Sequence, residues 1–350
     1  MSGKSRVVID GSYGEGGGQI LRTSLALSAV TQKPFEIVNI RLARKKPGLQ
    51  PQHLTAVKAA AAITSARTEG AELSSTALRF TPGPVKGGEY FFDVSEKRGS
   101  AGSTSLVLQT IMLPLLFAGE PSQVIVLGGT HVPWSPVFHY LQLVFLPAIA
   151  RLGAAIDLDI EKWGWYPIGG GKVMLRVNPV RTLEPVTIRS RGSVKRISGV
   201  SAVANLPRDI AVRQRNQAMN ALSIRRLDGE IEIVSAPSAG KGTLLFLLAE
   251  FENSRAGFGA LGAVGKRAET VADEACHALF DHLDHPGALD PHLADQIIPY
   301  LALAGGTSEF TTSRITQHLL TNIRVVLQFL DVDLDVEGKE DEPGRVKCSS

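Results

Sequence analysis

The sequence predicts an α/β fold built from three βαβαββ units, and three observations lead to this prediction. Hydrophobic patterns typical of strands and helices follow the order β-α-β-α-β-β, which occurs twice at a period of about 80 residues. A third copy starts near residue 185 and resumes near residue 286. The residues between them have an α/β pattern of their own. We therefore expect a large domain at 1–184 and 286–340, a small inserted α/β domain at 185–285, and an acidic, polar tail at 341–350.

The first two units are predicted from alternating and helical hydrophobic periodicity. For the first unit the predicted elements are, in order, the strand "RVVID", a helix from Gly17 to Val30, the strand "FEIVNIRL", the helix "QHLTAVKAAAAIT", and the strands "AELSST" and "LRFTPG". For the second they are "EYFFDV", "GSTSLVLQTIMLPLLFAG", "SQVIVLGG", "SPVFHYLQLVFLPAIARLG", "AIDLDIE" and "GKVMLRVNP".

The third unit opens with the strand "PVTIRS" and is then interrupted. It resumes with the helix "HLADQIIPYLALAG", the strand "SEFTTS", the helix "TQHLLTNIRVVLQFL" and the strand "VDLDVE". The interrupting segment is predicted to contain the strands "RISGVSAVA", "IEIVSA" and "GTLLFLLAEF" and the helices "RDIAVRQRNQAMNALS" and "KRAETVADEACHALFDHL". No catalytic grouping is recognisable in it, so we expect a packing or accessory module.

Composition is that of an ordinary folded protein. The 350 residues are 44% hydrophobic and 20% charged, with a net charge of +3, which permits a polyanionic partner without requiring one. The two cysteines have neither disulfide-framework nor metal-ligand spacing. Because the start lacks the apolar core of a signal peptide and no apolar run approaches about 18 residues, we expect a cytoplasmic protein without a membrane partner.

A glycine-rich turn, "DGSYGEGGGQILRT", joins the first strand to the first helix. Such loops let backbone N–H groups approach an anion, although a simple tight turn is the alternative. An acid is unfavourable beside phosphate unless a divalent cation lies between them, so Glu15 is a candidate Mg²⁺ or Mn²⁺ ligand. Arg22 could bind a phosphoryl oxygen with its guanidinium.

The second candidate segment is "RLARKKPGLQPQHLT", in which cations follow a strand end and Gln52 lies at the start of a helix. A cationic run is usually a solvated face, but beside a glycine loop Arg41 and Arg44 become phosphate-site candidates. The segment "GSAGSTSLVLQT", Gly99 to Thr110, is the second repeat's counterpart of this glycine loop; within its apolar helix, Gln109 either packs in a polar network or reaches a ligand.

Two segments of the third unit supply an acid and an imidazole. Asp295 lies in "HLADQ" and His318 in "TQHLLTNI", on helices that the repeat pattern packs on the same side of the sheet. An aspartate near a histidine fixes the imidazole tautomer and stabilises its cation. His318 is therefore a candidate nucleophile or base, with a packed or surface histidine as the alternative.

Taken in order, these blocks resemble the RNA 3′-terminal phosphate cyclase family. The resemblance covers almost the whole chain and is carried by "GEGGGQILRTSLALS", "RKKPGLQPQHL", "GSAGSTSLVLQT", "GGTHVPWSP", "HLADQ" and "TQHLLTNI". It implies three βαβαββ units with a small α/β domain inserted in the third. It also implies ATP-dependent conversion of an RNA 3′-phosphate into a 2′,3′-cyclic phosphodiester.

The resemblance implies a mechanism with His318 as the nucleophile. His318 attacks the α-phosphorus of ATP, which gives histidyl-AMP and pyrophosphate; AMP then passes to the RNA 3′-phosphate, and the vicinal 2′-OH displaces AMP. Glu15 would hold the divalent cation, and Arg22, Arg41, Arg44 and Gln52 would contact phosphates or RNA. The nucleotide would be bound by Gln109 and by the segment His292, Leu293, Ala294, Asp295 and Gln296, with His292 stacked on adenine.

Two alternatives belong to other functional classes. The same family includes inactive relatives that act in ribosome assembly and should lack the nucleophile or its acids, whereas this sequence retains His318, Glu15 and Asp295. Enolpyruvyl transferases also stack βαβαββ units but use no adenylated histidine. For an active cyclase we expect ATP, a divalent cation and RNA with a 3′-phosphate as partners, with a homodimer as one candidate assembly.

Overall fold

A computed structural model describes residues 6–94 and 101–350. Within these ranges the strands form four-stranded sheets, one for each repeat unit and one for the insertion. In each repeat the first two strands run parallel because a helix carries the chain from one to the next. The remaining strands of each sheet are added antiparallel. The α/β fold class is therefore confirmed.

The first repeat has the sheet order β1-β2-β4-β3. Alternating burial on its strands directs Ile9, Phe35 and Phe80 into the core beneath the helices. Its elements are β1 (Val7–Asp10), α1 (Gly18–Thr31), β2 (Phe35–Val38), α2 (Pro51–Thr64), β3 (Arg67–Glu69) and β4 (Leu78–Thr81).

The second repeat has the equivalent order β5-β6-β8-β7. Its second helix contains one π-helical turn, Leu141–Phe145, because Pro147 has no N–H to donate to the helical ladder. The elements are β5 (Gly88–Asp93), α3 (Thr104–Leu116), β6 (Ser122–Gly128), α4 (Phe138–Tyr140), α5 (Leu146–Ala150), β7 (Ala155–Lys162) and β8 (Gly171–Asn178).

The third repeat is divided in sequence but joined in space. Its opening strand lies far from the others along the chain, yet pairs with them in the order β15-β16-β14-β9. The elements are β9 (Thr187–Ile188), α8 (Pro291–Leu301), β14 (Thr307–Thr312), α9 (Gln317–Phe329), β15 (Asp333–Glu337) and β16 (Gly344–Ser349).

The insertion lies between β9 and α8 and forms its own sheet, ordered β11-β10-β12-β13, with two helices packed on it. A separate hydrophobic cluster under these helices includes Leu222, Leu245, Leu247 and Leu279. The elements are β10 (Val194–Ala204), α6 (Arg208–Ile224), β11 (Gly229–Ser235), β12 (Gly242–Phe251), β13 (Arg255–Leu261) and α7 (Ala268–Asp284).

The repeats meet through their helices. α1 contacts α3 of the second repeat and α9 of the third, and α2 contacts α3. These helices bury nearly continuous apolar faces in one shared core. The loops that enter the helices, which contain the candidate site residues, are thereby held close to one another.

Three details differ from the sequence prediction. "AELSST" is not a strand; the chain turns there, and β3 lies earlier at Arg67–Glu69. Strand β13 was not predicted. The acidic, polar tail predicted at 341–350 contains β16, whose Val346 and Cys348 are buried while Lys347 faces solvent. Charged residues on the outward face of this strand concealed its period-2 pattern.

Across the described residues, no helix combines the length and the apolar character needed to cross a membrane.

Strand β16 should be essential for stability because it pairs with β14 on one side and β15 on the other. Deleting residues 344–350 exposes these strands and removes two buried side chains worth about 1.5–3 kcal/mol each. Such a loss is a large part of the roughly 5–15 kcal/mol stability of a typical protein. We expect thermal unfolding followed by circular dichroism to show a greatly lowered or absent transition. Lys347→Ala, on the exposed face of β16, should melt like the parent; an unchanged melt of the truncated chain would contradict the role of β16.

Candidate active site

His318 lies in the first turn of α9 and faces the glycine loop of the first repeat. Thr316 caps the helix by accepting a hydrogen bond from the N–H of Leu319, which fixes where the helix starts. The imidazole Nδ1 is 2.7 Å from Gln19 Oε1, and Nε2 is 3.2 Å from Glu15 Oε2. The side chain is 40% exposed, so a substrate can reach it.

Asp295 approaches His318 through a bridging amide rather than directly. Gln19 Nε2 donates to Asp295 Oδ1 at 3.4 Å, while the other atom of the same amide meets His318. Asn322 in α9 donates to the Asp295 carbonyl at 2.7 Å and accepts from Thr23 of α1. These bonds hold α1, α8 and α9 together around the imidazole.

Two glycines, one in the turn before α1 and one at its first residue, are required by close approach. Gly14 has φ +60°, and a Cβ there would lie 2.4 Å from Thr321 Oγ1 in α9. A Cβ on Gly18 would lie 2.3 Å from the His53 ring and 2.9 Å from Arg22. A side chain at Gly14 would push the loop away from α9, and one at Gly18 would displace His53 and Arg22.

Arg22 places a cation in the interior of the site. Burial lowers the pKa of its guanidinium to about 10, and the charge of Asp295 opposes that shift. Within 6–94 and 101–350, no carboxylate or carbonyl accepts a hydrogen bond from this guanidinium. At neutral pH the site therefore contains a positive charge with donors left for an anion.

The two other arginines have different environments. Arg44 Nη2 donates to the Glu15 carbonyl at 2.9 Å and lies 3.5 Å from its carboxylate, beside His318. Arg41 Nη1 donates to the carbonyls of Lys46 and Gly48, so it holds the loop closed. Arg44 thus lies next to the imidazole through Glu15, whereas Arg41 uses part of its guanidinium to stabilise the loop.

Glutamines join the repeats at the other predicted positions. Gln52 Oε1 accepts from the Ser103 N–H at 3.3 Å, which links the first repeat to the second. Gln109 Nε2 donates to Gln296 Oε1 at 2.6 Å, which links the second to the third. Gly99 and Ser100, which begin the second glycine loop, lie outside the described residues.

The first turn of α8 separates exposed from buried side chains. Asp290 caps this helix by accepting from the N–H groups of His292 and Leu293. His292 is exposed beside Tyr140, with ring centroids 6.2 Å apart. The side chains of Leu293 and Ala294 are buried in the core. The side chains of Leu293 and Ala294 therefore cannot make the predicted contacts with a nucleotide, whereas the ring of His292 is open to solvent.

Burial shifts the pKa values of His318 and Asp295 in opposite directions. Burial lowers the pKa of His318; Glu15 opposes the shift, and Arg22 reinforces it. Burial raises the pKa of Asp295 well above its usual range, and the nearby Asp290 adds to the rise. His318 is therefore mainly neutral at pH 7, with a lone pair on one nitrogen.

The comparisons with known proteins cover nearly the whole chain. Residues 13–336 match the family model described as RNA 3'-terminal phosphate cyclase. The chain belongs to the RNA 3'-terminal phosphate cyclase family. A protein of that name from Methylococcus capsulatus is 48% identical over 97% of this chain and 95% of its own length. A protein of the same name from Nostoc punctiforme is 44% identical over 92% of this chain and 94% of its own length. Another from Pyrobaculum aerophilum is 45% identical over 93% of each chain.

Two alternatives were an enolpyruvyl transferase and an inactive relative of the cyclases. Membership of the cyclase family confirms the resemblance and excludes the first of them. The comparisons leave the inactive-relative alternative open, and the structure brings His318, Glu15, Gln19 and Arg44 together.

Sequence reasoning did not assign roles to Gln19, Asn322 or Thr23. Gln19 lies within the glycine-rich segment "DGSYGEGGGQILRT", but an amide has neither a charge nor a titration that predicts its partner. The spacing does contain a signal, since Gln19 and Arg22 lie three residues apart on one face of α1.

The Glu15 carboxylate should control the titration of His318. Because a carboxylate stabilises the imidazolium, Glu15→Gln should lower the pKa of His318 below its value in the parent protein. The measurement is the pH dependence of the His318 imidazole signals by NMR. The control is Glu36→Gln on β2, which removes the ion pairs of Glu36 with Arg6 and Arg79 and should leave the His318 pKa unchanged. A raised or unaltered His318 pKa in Glu15→Gln would contradict the assignment.

Proposed function

We propose that this protein is an ATP-dependent RNA 3′-terminal phosphate cyclase that works through a covalent histidyl-AMP. One observation carries the proposal: His318 has Nδ1 on the amide of Gln19 and Nε2 facing the carboxylate of Glu15. Family membership supports the reaction class. The residue contacts support the assignment of roles.

The hydrogen bond to Gln19 favours Nε2 as the nucleophilic atom. With Gln19 Oε1 as the acceptor, Nδ1 carries the proton and Nε2 keeps its lone pair in the neutral ring. Since burial lowers the His318 pKa, this neutral form predominates at pH 7. The imidazole is then ready to attack phosphorus without a separate base.

The chemistry consists of three phosphoryl transfers. His318 Nε2 forms a bond to the α-phosphorus of ATP while the bond to the pyrophosphate oxygen breaks. The RNA 3′-phosphate then takes the adenylyl group and frees His318. Finally the vicinal 2′-oxygen attacks the RNA phosphorus and AMP leaves, which closes the cyclic phosphodiester. Positioning and charge neutralisation should supply most of the rate enhancement in each step.

Glu15 fits a role in holding Mg²⁺ or Mn²⁺. Its carboxylate lies 3.2 Å from Nε2, whose lone pair faces it when the imidazole is neutral. Two electron-rich atoms at this distance repel each other, and a cation held between Glu15 and phosphate would offset that repulsion. Among the described residues no three His, Cys, Asp or Glu side chains form a metal site. A single carboxylate suits a Mg²⁺ ion whose other ligands are water and phosphate oxygens. Such an ion would neutralise charge on the phosphates.

The cations around His318 suit phosphate binding. Arg22 has no acceptor in the described part of the chain, and Arg44 lies beside Glu15. No described side chain caps the N-terminus of α1, whose N–H groups point toward the glycine loop. We assign Arg22, Arg44 and the α1 N-terminus to phosphates of ATP and RNA, with Arg41 mainly shaping the loop and Gln52 at the RNA side.

The nucleoside of ATP would lie along α8. His292 offers an exposed ring for stacking on adenine, and the linked amides of Gln109 and Gln296 are candidates for polar contacts. Asp295, whose pKa burial raises, would act through Gln19 on His318 rather than by direct contact.

The proposal predicts one adenylylated histidine. Incubation with α-³²P-ATP and Mg²⁺ or Mn²⁺ should label the protein, with a label that acid releases and alkali does not, as expected for a phosphoramidate. His318→Ala should abolish labelling, and mapping should find AMP on His318. The control His277→Ala removes an exposed histidine of α7 and should label normally.

Either of two results would overturn the proposal. One is full labelling of His318→Ala; the other is a labelled parent protein that never converts an RNA 3′-phosphate end into a cyclic phosphate.

Gln19 should be a positioning residue. Gln19→Leu keeps the approximate size but removes the bond to Nδ1, so both tautomers become populated and the imidazole can rotate. We expect adenylylation to slow by about tenfold to a hundredfold, the range that misplaced reacting groups produce. The same variant should show altered His318 tautomer signals by NMR.

Gln217→Leu is the matched control because it breaks a 2.7 Å bond to Asp273 in the insertion, far along the chain from the site. Equal slowing in both variants would point to lost stability and not to a role at His318.

A further inference from the structure

Three large apolar side chains are exposed on two loops at one end of the second sheet. Trp134 follows β6 and is 97% exposed, while Tyr166 and Ile168 lie between β7 and β8 and are 67% and 55% exposed. Trp134 also has φ 58°, in the left-handed region that bulky residues rarely adopt. Conformations of this kind cost about 1–3 kcal/mol and are concentrated at functional sites.

These loops are held on a rigid base. The N–H groups of Thr130 and His131 both donate to the Gly164 carbonyl, and Gly164 N–H donates back to Thr130 Oγ1. The buried His131 ring stacks against both Trp163 and Trp165, with centroids 4.2 and 5.0 Å away. The exposed rings are therefore presented on fixed backbone.

The loops are continuous with the candidate active site. Gln52, beside the basic loop, accepts from Ser103 N–H, and Ser103 forms a β-bridge with Gly129. Thr104 N–H also donates to the Gly129 carbonyl. Gly129 is five residues before Trp134, so a path of hydrogen-bonded backbone, buried at Ser103 and Gly129, leads from Gln52 to the loop that carries the exposed tryptophan.

Positive charge accompanies this path. The exposed residues Arg44, Lys45 and Lys46 lie at its beginning. At its end, exposed Lys241 follows Gly240, which packs against Ile168 and Trp165. Aromatic rings on a cationic path are the features with which proteins bind single-stranded nucleic acid without reading its sequence.

We propose that Trp134 and Tyr166 form a stacking platform for bases of the RNA substrate that lie upstream of its 3′ end. This surface, named here the Trp134 platform, rests on the proposed function for its choice of RNA as occupant. It binds the strand whose terminal phosphate lies at His318 and takes no part in the reaction with ATP. Recognition by stacking makes it tolerant of base identity.

The test is direct binding of RNA in the absence of ATP, so that it does not depend on adenylylation. Fluorescence anisotropy compares 3′-phosphorylated oligoribonucleotides of about three and about twelve nucleotides, because only the longer one extends along the path. Trp134→Ala should weaken binding of the long RNA on the order of tenfold, the loss expected for one base–aromatic stack. Binding of the short RNA should change little, and α-³²P-ATP labelling should be unaffected.

Two further variants sharpen the result. Trp134→Phe keeps an aromatic face and should restore most of the affinity. Ile224→Ala removes another exposed apolar side chain, 76% exposed at the end of α6, and should bind both RNAs normally.

The platform would be overturned if Trp134→Ala bound the long RNA as tightly as the parent, or if it weakened binding of short and long RNA equally. A change of molecular mass in this variant, measured by sedimentation, would also overturn it, because the surface would then be a subunit contact. Failure of labelling in the parent, with intact length-dependent RNA binding, would instead sink the proposed function alone.

Discussion

The candidate site depends on polar side chains of one repeat that find their partners only in another. Gln19 of the first repeat meets His318 and Asp295 of the third, Gln52 meets Ser103 of the second, and Gln109 meets Gln296 of the third. These amides are partly buried, where a polar group left without a partner is costly, so each pair favours assembly of the whole set. The site consequently exists only when all three units are packed together, and Gly14 and Gly18 allow that packing at closest approach.

Repetition also explains why three histidines stand near the start of the second helix of their units. His53 of α2, His139 of α4 and His318 of α9 have similar positions but different surroundings. Burial lowers the pKa of His53 to about 3 and that of His139 to about 4, and their Nδ1 atoms meet the Gln50 N–H and the His131 ring. His318 alone of the three is partly exposed and faces a carboxylate. A similar position thus holds a histidine in each of the three units, and burial distinguishes the two structural histidines from the candidate nucleophile.

Much of the fold could be predicted from the sequence because hydrophobic periodicity records which face of each element is buried. Apart from the segment "AELSST", the helices and strands of the first two repeats follow that rule, and the interruption of the third was visible as a break in it. β16 was missed because Arg345 and Lys347 alternate with two small buried residues, which resembles a polar tail. For the site, residue type indicated His318, Glu15 and the arginines. The Gln19 bridge and the burial of Leu293 and Ala294 depend on how α1, α8 and α9 pack, which no local pattern contains.

The pairing of the third sheet has a consequence for how the protein is made. β14 lies between β9, at residues 187–188, and β16, at residues 344–349, so its neighbours are separated by almost half of the chain. Domains generally fold as they leave the ribosome, N-terminal parts first. The first two repeats and the insertion can therefore form while synthesis continues, but α9 and its histidine gain their complete sheet only once residue 349 has emerged. A nascent chain would contain the folded glycine-rich and basic loops of the first repeat well before His318 gained its complete surroundings.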